Sequence, residues 1–246
     1  MNITEFYQWK KASDHWITPI ENVKEALKYN LNTIDERFPN WKSKYDENTS
    51  EYLHHDARRE FFTTVRVILQ NHQLGYVYIR DHLTDEKWWQ QKVGTVSLLA
   101  KHQAIREYAF MVKFFNVHAI AMATESTLRA IVRSSEKDFS VTGMTGIQKL
   151  YNDVLEKTEL QKFRPLFDLL RLVKNTIHNN GIVYIFGEKD VEIKYKEKSF
   201  LFENGKTLDW LQEGFLVWLP EQINKAMFEI ITSPLVSNIA YCPRGK

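Results

Sequence analysis

The fold is decided by the stretch Arg171-Leu-Val-Lys-Asn-Thr-Ile-His178, which is followed at once by Asn179-Asn-Gly181. At about 100° per residue, Arg171, Lys174, Asn175 and His178 fall on one stripe of a helix, and the aliphatic residues fall on the opposite side. Such a helix buries its aliphatic side in a core. Its polar side then faces a cleft or a partner.

The sequence also marks both ends of this helix, which we predict over residues 164–180. Pro165 suits the first helical turn, and Asn180 and Gly181 suit the left-handed conformation that closes a helix. His178 therefore lies in the last turn, where the helix dipole favours a cation. Histidine is also the side chain most easily tuned for proton transfer near neutral pH.

Length and composition are those of an ordinary folded chain. Its 246 residues can bury the core of one large domain or of two small ones. Hydrophobic residues make up 43% and charged residues 26%, with 9 Gly and 6 Pro, which argues against a disordered or low-complexity chain. The net charge of +2 is too small to indicate a nucleic-acid-binding protein by itself, so any RNA site must be a local patch.

Several kinds of site are disfavoured by what the sequence lacks. The single Cys242, which we expect in a frayed tail, excludes an intrachain disulfide and a multi-cysteine zinc site. No histidine pair has metal-ligand spacing, so we expect no metal and no cofactor. With no secretion signal and no run of about 18 apolar residues, we expect a cytoplasmic protein without a membrane span.

Apolar periodicity predicts further helices upstream. We expect helices over 20–38 and 61–79, with a polar loop over 41–50 between them. The proline-free stretch 84–133 predicts two central helices that meet near 101–106, with aromatic side chains mainly in the core. A loop over 134–144 then leads to Thr145-Gly-Ile-Gln148, which predicts a capping box and a short helix ending near Thr158.

Beyond Gly181 the pattern changes from helical to alternating. It predicts strands over 182–186 and 191–195 joined by a turn, and a third strand over 199–202. From Leu208 to Ile231 the pattern is helical, with a break or kink at Pro220, and the tail from Pro234 is irregular. The sequence thus predicts a mainly α fold, a helical bundle with a small antiparallel β-hairpin or three-stranded sheet inserted at about 182–203.

An arginine followed by six residues and a histidine near a helix end, with Asn-Asn-Gly behind it, resembles the R-x4-6-H motif of the HEPN superfamily. Three other features are also similar to that family. They are an upstream helix with Glu125 and Arg129, a short helix between that helix and the motif helix, and a hairpin directly after the motif. The resemblance covers roughly residues 108 to 231. It implies a HEPN-like domain over 106–246, on which an N-terminal helical region, residues 1–105, is packed.

In that family, two motif helices meet in a homodimer and cut RNA without a metal. The resemblance implies that His178 acts as acid or base on the ribose 2′-oxygen or the leaving group, and that Arg171 steadies the phosphorane. A guanidinium can grip a phosphate through two hydrogen bonds while an imidazole moves the proton. Asn175 would complete the catalytic set.

The remaining matching residues receive supporting roles from the same resemblance. Lys174 and Asn179 would bind substrate, and Glu125 and Arg129 would form a supporting ion pair. The implied protein is an RNA-cutting enzyme of phage defence or a toxin, and a toxin would have an antitoxin or a regulatory protein as a further partner.

This sequence also departs from the family pattern, and two other interpretations stay open. Leu172 follows Arg171 where the family usually has a small polar residue, and Lys174-Asn175 looks like a displaced version of its Arg-Asn pair. One alternative is therefore a catalytically inactive HEPN-like module that binds RNA or a protein. The other is a helical scaffold whose polar stripe is only solvated surface.

Overall fold

The computed structural model describes residues 3–42, 44–46, 51–53, 56–185, 187 and 189–243. Helices make up most of this part of the chain. In chain order, these helices are α1 Ile3–Arg37, α2 Ala57–Tyr78, α3 Glu86–Lys92, α4 Leu98–Ser134, α5 Ile147–Lys157, α6 Arg164–His178, α7 Glu213–Thr232 and α8 Pro234–Ser237. Two antiparallel strand pairs accompany them, β1 Lys44–Asp46 with β2 Glu51–Leu53, and β3 Val191–Tyr195 with β4 Lys198–Phe202. The predicted mainly α bundle with a small hairpin is confirmed.

Helices α1 and α2 pack side by side, and α2 continues as a π-helical turn over Ile79–Leu83. Helix α1 is longer than the predicted 20–38 segment, because it begins at Ile3 and runs through Pro19. The predicted loop over 41–50 contains β1, while residues 43 and 47–50 lie outside the described part of the chain. The predicted second helix is confirmed in α2.

Helix α4 is one continuous helix of 37 residues, so the prediction of two helices meeting near 101–106 is wrong. The break lies earlier, where Gly94 takes a φ of 95° and the Ser97 hydroxyl accepts the Ala100 N–H at 3.2 Å to cap α4. The helix continues past Lys101 because this side chain is buried while its ammonium reaches Glu86 at 2.5 Å. The 105/106 boundary therefore falls inside α4.

Helices α5 and α6 follow α4 and pack on its second half. The predicted capping box is wrong, because Gly146 is the N-cap of α5 and the Thr145 hydroxyl accepts the Thr142 N–H at 3.1 Å instead. The predicted end of α6 is confirmed. Asn180 and Gly181 have φ values of 56° and 84°, and the Gly181 N–H donates to the Thr176 carbonyl at 2.9 Å.

The hairpin differs from the predicted one, because β3 pairs with β4 in the register Val191↔Phe202 to Tyr195↔Lys198. The segment predicted as the first strand makes only an isolated bridge between Ile182 and Thr207, and position 186 lies outside the described residues. Aromatic packing holds β4 against the segment before α7 and against α7 itself. The centroid of the Phe200 ring lies 5.1 Å from that of Trp210 and 5.3 Å from that of Trp218.

The C-terminal part is more ordered than expected. Helix α7 begins at Glu213 and continues through Pro220 without a break, and α8 follows where an irregular tail was predicted. Cys242 is fully buried, and its backbone N–H donates to Asp56 at 3.2 Å, so the frayed-tail prediction is wrong. Burial raises the pKa of this thiol to about 11. None of the described helices combines the length and apolar character that a membrane crossing needs.

Candidate functional site

The predicted polar stripe lies along one ridge of α6. Arg171 and Lys174 are half-buried, and Asn175 and His178 are exposed, while the opposite side of the helix is packed into the core. His178 lies seven positions after Arg171, which is two turns or about 10 Å along the axis. The two groups therefore share a surface but lie at different heights on it.

Arg171 is held loosely by two neighbours. Its Nε donates to the Tyr151 hydroxyl at 3.3 Å, and its Nη2 lies 3.6 Å from Asp168 Oδ1. Tyr151, buried on α5, donates its hydroxyl to the same carboxylate at 2.5 Å. Burial and then the Asp168 hydrogen bond raise the pKa of Tyr151, so the phenol stays protonated. Since Arg171 makes no other hydrogen bond within the described residues, its remaining N–H donors are available to a ligand.

Lys174 belongs to a cluster of ion pairs that joins α4 to α6. Its ammonium lies 2.8 Å from Glu125, and the other carboxylate oxygen of Glu125 lies 2.7 Å from Arg129. Arg129 also donates to the carbonyls of Gly143 and Thr145, at 2.7 and 2.8 Å, which fastens the loop before α5. We call Glu125, Arg129 and Lys174 the Glu125 cluster.

The charge of Glu125 is favoured despite its partial burial. Burial alone would raise the pKa of this carboxyl, but hydrogen bonds from Lys174 and then Arg129 outweigh it and hold the pKa below its usual value. The expected ion pair of Glu125 with Arg129 is present. Lys174, expected to face substrate, is instead engaged in the same cluster.

His178 stands at the exposed end of the ridge beside a second histidine from α4. The ring of His118 meets it edge to face, with centroids 4.7 Å apart and an interplanar angle of 85°. The Nδ1 of His118 is buried and has no hydrogen-bond partner in the described chain. Burial, and then the proximity of His178 and Lys174, lower the pKa of His118, so this ring stays neutral near neutral pH.

Sequence reasoning did not single out His118 as a site residue, although a signal was present. His118 lies seven residues before Glu125, and positions seven apart share a helix face. If Glu125 on α4 faces the motif helix, His118 therefore faces it as well, two turns earlier along α4.

Not all the predicted site residues come together. A small cleft of about 40 Å³ is lined by Glu125, Tyr151, Arg171, Lys174 and Asn175, among others, and has room for little more than a water. His178 is not part of that lining and lies beside His118, while the half-buried Asn179 follows it as the helix cap. Within one copy of the chain, the guanidinium and the imidazole thus belong to neighbouring subsites.

An exposed apolar stripe on α4 borders the histidine pair. Met111 and Phe115 are each 60% exposed and Met122 is 44% exposed, although aromatic side chains were expected mainly in the core. Together with His118 these residues follow the spacing four, three, four, which places them on one face as in a helix that pairs with another helix. We call Met111, Phe115 and Met122 the α4 stripe. An exposed apolar stripe on a helix is a candidate surface for contact with a partner.

The search for a metal site in the described part of the chain and the comparisons with known proteins gave no match. Among the described residues, no three His, Cys, Asp or Glu side chains are grouped so that they could hold a metal ion. No family model matches this chain, and neither a curated protein nor a solved structure matches it significantly. What bears on function is the motif itself and the geometry around it.

Proposed function

We propose that this protein is a metal-independent endoribonuclease of the HEPN type that acts as a homodimer. One observation carries the proposal. The Arg171 guanidinium, which has unfilled donors, and the exposed His178 imidazole share one ridge of α6, and the ring of His118 contacts the imidazole edge to face. An enzyme of this kind in the cytoplasm would serve as a toxin or in phage defence.

The side chains suggest a transesterification. His178 removes the proton from a ribose 2′-hydroxyl, the 2′-oxygen attacks the adjacent phosphorus, and the bond to the 5′-oxygen breaks. A second imidazole returns a proton to the 5′-oxygen, which leaves a 2′,3′-cyclic phosphate and a 5′-hydroxyl. Arg171 donates to the non-bridging oxygens, where negative charge develops.

A second copy of the chain would complete this site. Arg171 and His178 of one copy lie at different heights on the ridge, about 10 Å apart along the helix axis, and a partner copy would bring a second histidine and a second arginine to the same phosphate. The α4 stripe lies on the same side as His118 and offers an apolar face to the same stripe of another copy. Such an interface places two His178 rings and two Arg171 side chains around one phosphodiester.

Cleavage of a labelled single-stranded RNA in EDTA tests the proposal. The wild-type protein should yield 2′,3′-cyclic phosphate ends, and His178→Ala should lower the rate by about 100-fold or more while melting normally. His15→Ala is the matched control, since His15 is an exposed histidine on α1. Equal cleavage by His178→Ala, or cleavage that EDTA abolishes and magnesium restores, would overturn it.

Mixing two inactive variants tests the composite site. If one phosphate uses Arg171 of one copy and His178 of the other, mixed dimers of Arg171→Ala and His178→Ala recover part of the activity. Phe115→Glu in the α4 stripe should give inactive monomers in sedimentation experiments. A fully active monomer would contradict the shared site.

A second candidate is a module that binds RNA or a protein without cutting. The contact of Lys174 with Glu125 favours it, because it neutralises a cation that a nuclease would use. RNA binding with no cleavage product at any protein concentration would identify this module.

A further inference from the structure

A groove of about 940 Å³ runs along the first half of α4. Its walls are α4 from Leu99 to Phe114, Trp9 of α1, the end of α6 at Asn180 and Gly181, and the segment from Thr207 to Leu211. Along α4 this is about 22 Å, which is longer than a compact small molecule. Its volume is near the upper end of small-ligand sites.

Cations and aromatic rings share the lining of this groove. Arg106 is exposed and has no ion pair within the described residues, and Lys113 adds a second cation. Trp9 meets the His102 ring edge to face at 6.2 Å. The single carboxylate of the lining, Glu107, accepts a hydrogen bond from Gln103 at 2.9 Å.

Two phenylalanines with their rings in contact lie at the end of the groove nearer the candidate site. The rings of Phe110 and Phe114 lie 3.9 Å apart with an interplanar angle of 36°, and Phe110 remains 52% exposed. The exposed ring can accept a further flat group on its free surface. Arg106 lies one helical turn before Phe110, so a charged contact and a stacking surface follow each other along the helix.

The groove ends close to the histidine pair. Its end wall is Gly181, where an added Cβ would lie 3.6 Å from the Phe114 ring. One turn beyond Phe114, α4 carries His118, whose ring contacts His178. A chain-like ligand that extends past the Phe114 end of the groove therefore comes to the histidine pair.

We propose that this groove binds the single-stranded part of an RNA substrate and delivers it to His178; the inference rests on the proposed ribonuclease function and specifies its substrate class. Unpaired bases can stack on Trp9 and Phe110 while Arg106 and Lys113 contact the phosphates. A duplex hides its bases from such rings, so the groove favours a single strand. Cations in the lining favour a nucleic acid over a second apolar helix.

Binding rather than cleavage tests this inference. Fluorescence polarisation with a labelled single-stranded RNA, carried out in the His178→Ala background so that the RNA stays intact, should give a measurable Kd. Arg106→Glu and Phe110→Ala should each raise that Kd about tenfold. The slope of log Kd against log salt concentration should fall by about 0.7 for the lost phosphate contact of Arg106→Glu.

Two matched controls lie away from the groove. Lys157→Glu reverses an exposed charge at the end of α5, and Tyr29→Ala removes an exposed aromatic ring from α1. Both should bind RNA as the His178→Ala parent does. All variants are compared by thermal melting, so that a loss of folding is recognised.

The outcomes separate the groove from the nuclease. Unchanged Kd values in the groove variants overturn the groove proposal even if His178-dependent cleavage is found. Equal affinity for a duplex of the same sequence overturns the single-strand class, and absence of RNA binding overturns both. Weaker binding in the groove variants of a protein that never cleaves RNA supports the groove and rejects the nuclease.

Discussion

Two arginines of this protein, Arg58 and Arg171, each lie beside an aspartate and an aromatic ring but differ in burial. Arg58 follows Asp56 by two residues and lies under Trp41, with its guanidinium carbon 3.6 Å from the ring centroid. Arg171 follows Asp168 by three residues and lies beside Tyr151. The side chain of Arg58 is 0% exposed, whereas that of Arg171 is 23% exposed.

The number of filled donors follows this difference in burial. Arg58 donates from Nε and Nη2 to the two oxygens of Asp56 at 2.9 and 2.6 Å, and from Nη1 to the carbonyls of Val236 and Ile239, both at 2.8 Å. Arg171 makes one hydrogen bond of 3.3 Å and one ion pair of 3.6 Å. A buried guanidinium must fill its donors within the protein, while a half-exposed one can leave donors to water or to a ligand.

Removing the buried guanidinium should have the largest effect. Arg58→Met leaves the Asp56 carboxylate buried without its cation, and we expect the free energy of unfolding to fall by about 4 kcal/mol in urea denaturation. Arg164→Met, at an exposed position of α6, is the control and should change it by less than about 0.5 kcal/mol.

A double variant sharpens this first prediction. Asp56→Asn combined with Arg58→Met removes both charges, so part of the lost stability should return. We call Arg58, Asp56 and the carbonyls of Val236 and Ile239 the Arg58 cluster. If Arg58→Met unfolds at the same urea concentration as the wild type, the Arg58 cluster does not stabilise the fold and the contrast with Arg171 is lost.

The half-exposed arginine should behave in the opposite way. Arg171→Lys keeps the charge but loses the planar fork, and we expect the RNA cleavage rate to fall about 30-fold, equivalent to about 2 kcal/mol. The free energy of unfolding should change by less than about 1 kcal/mol, because the native contacts are long and partly exposed. A variant that cleaves normally but unfolds as easily as Arg58→Met would reverse the assigned roles.

The smallest effect should come from the Glu125 cluster and should depend on pH. Because its folded-state pKa is lowered, Glu125 stabilises the protein above its unfolded-state pKa of about 4.5, and this contribution is lost as the pH falls through the folded-state value. Glu125→Gln should therefore cost about 1 kcal/mol in urea unfolding near pH 7.

The same measurement at low pH provides the control for the Glu125 cluster. Near pH 3, below the unfolded-state pKa, part of this contribution is already lost, so the difference in stability between the wild type and Glu125→Gln should be smaller than near pH 7. A difference that stays constant between the two pH values would show that the amide disturbs packing instead of removing a charge.

Local patterns were enough to predict α6, because its amphipathic period and its left-handed end at Asn180 and Gly181 are written in adjacent residues. The role of Arg58 could not be predicted, since its carbonyl partners lie 178 and 181 positions away. The continuity of α4 was missed because Lys101 reads as a polar interruption, yet its stem is buried and its charge meets Glu86.

The hairpin and the histidine pair show the same limit. Residues 182–186 alternate like a strand, but aromatic packing from α7 and the segment before it selects β4 as the partner of β3. His118 and Lys174 could be placed on helix faces from the sequence, whereas their contacts with His178 and Glu125 depend on how α4 and α6 cross.

The Arg58 cluster also constrains the order in which the chain can fold during translation. The ribosome must add residues up to 242 before Val236, Ile239 and Cys242 can reach Arg58 and Asp56. Until then a nascent α2 carries a charged pair that lacks its carbonyl acceptors and backbone donor. The polar contacts that satisfy this buried pair are therefore completed only after the C-terminal segment has been made.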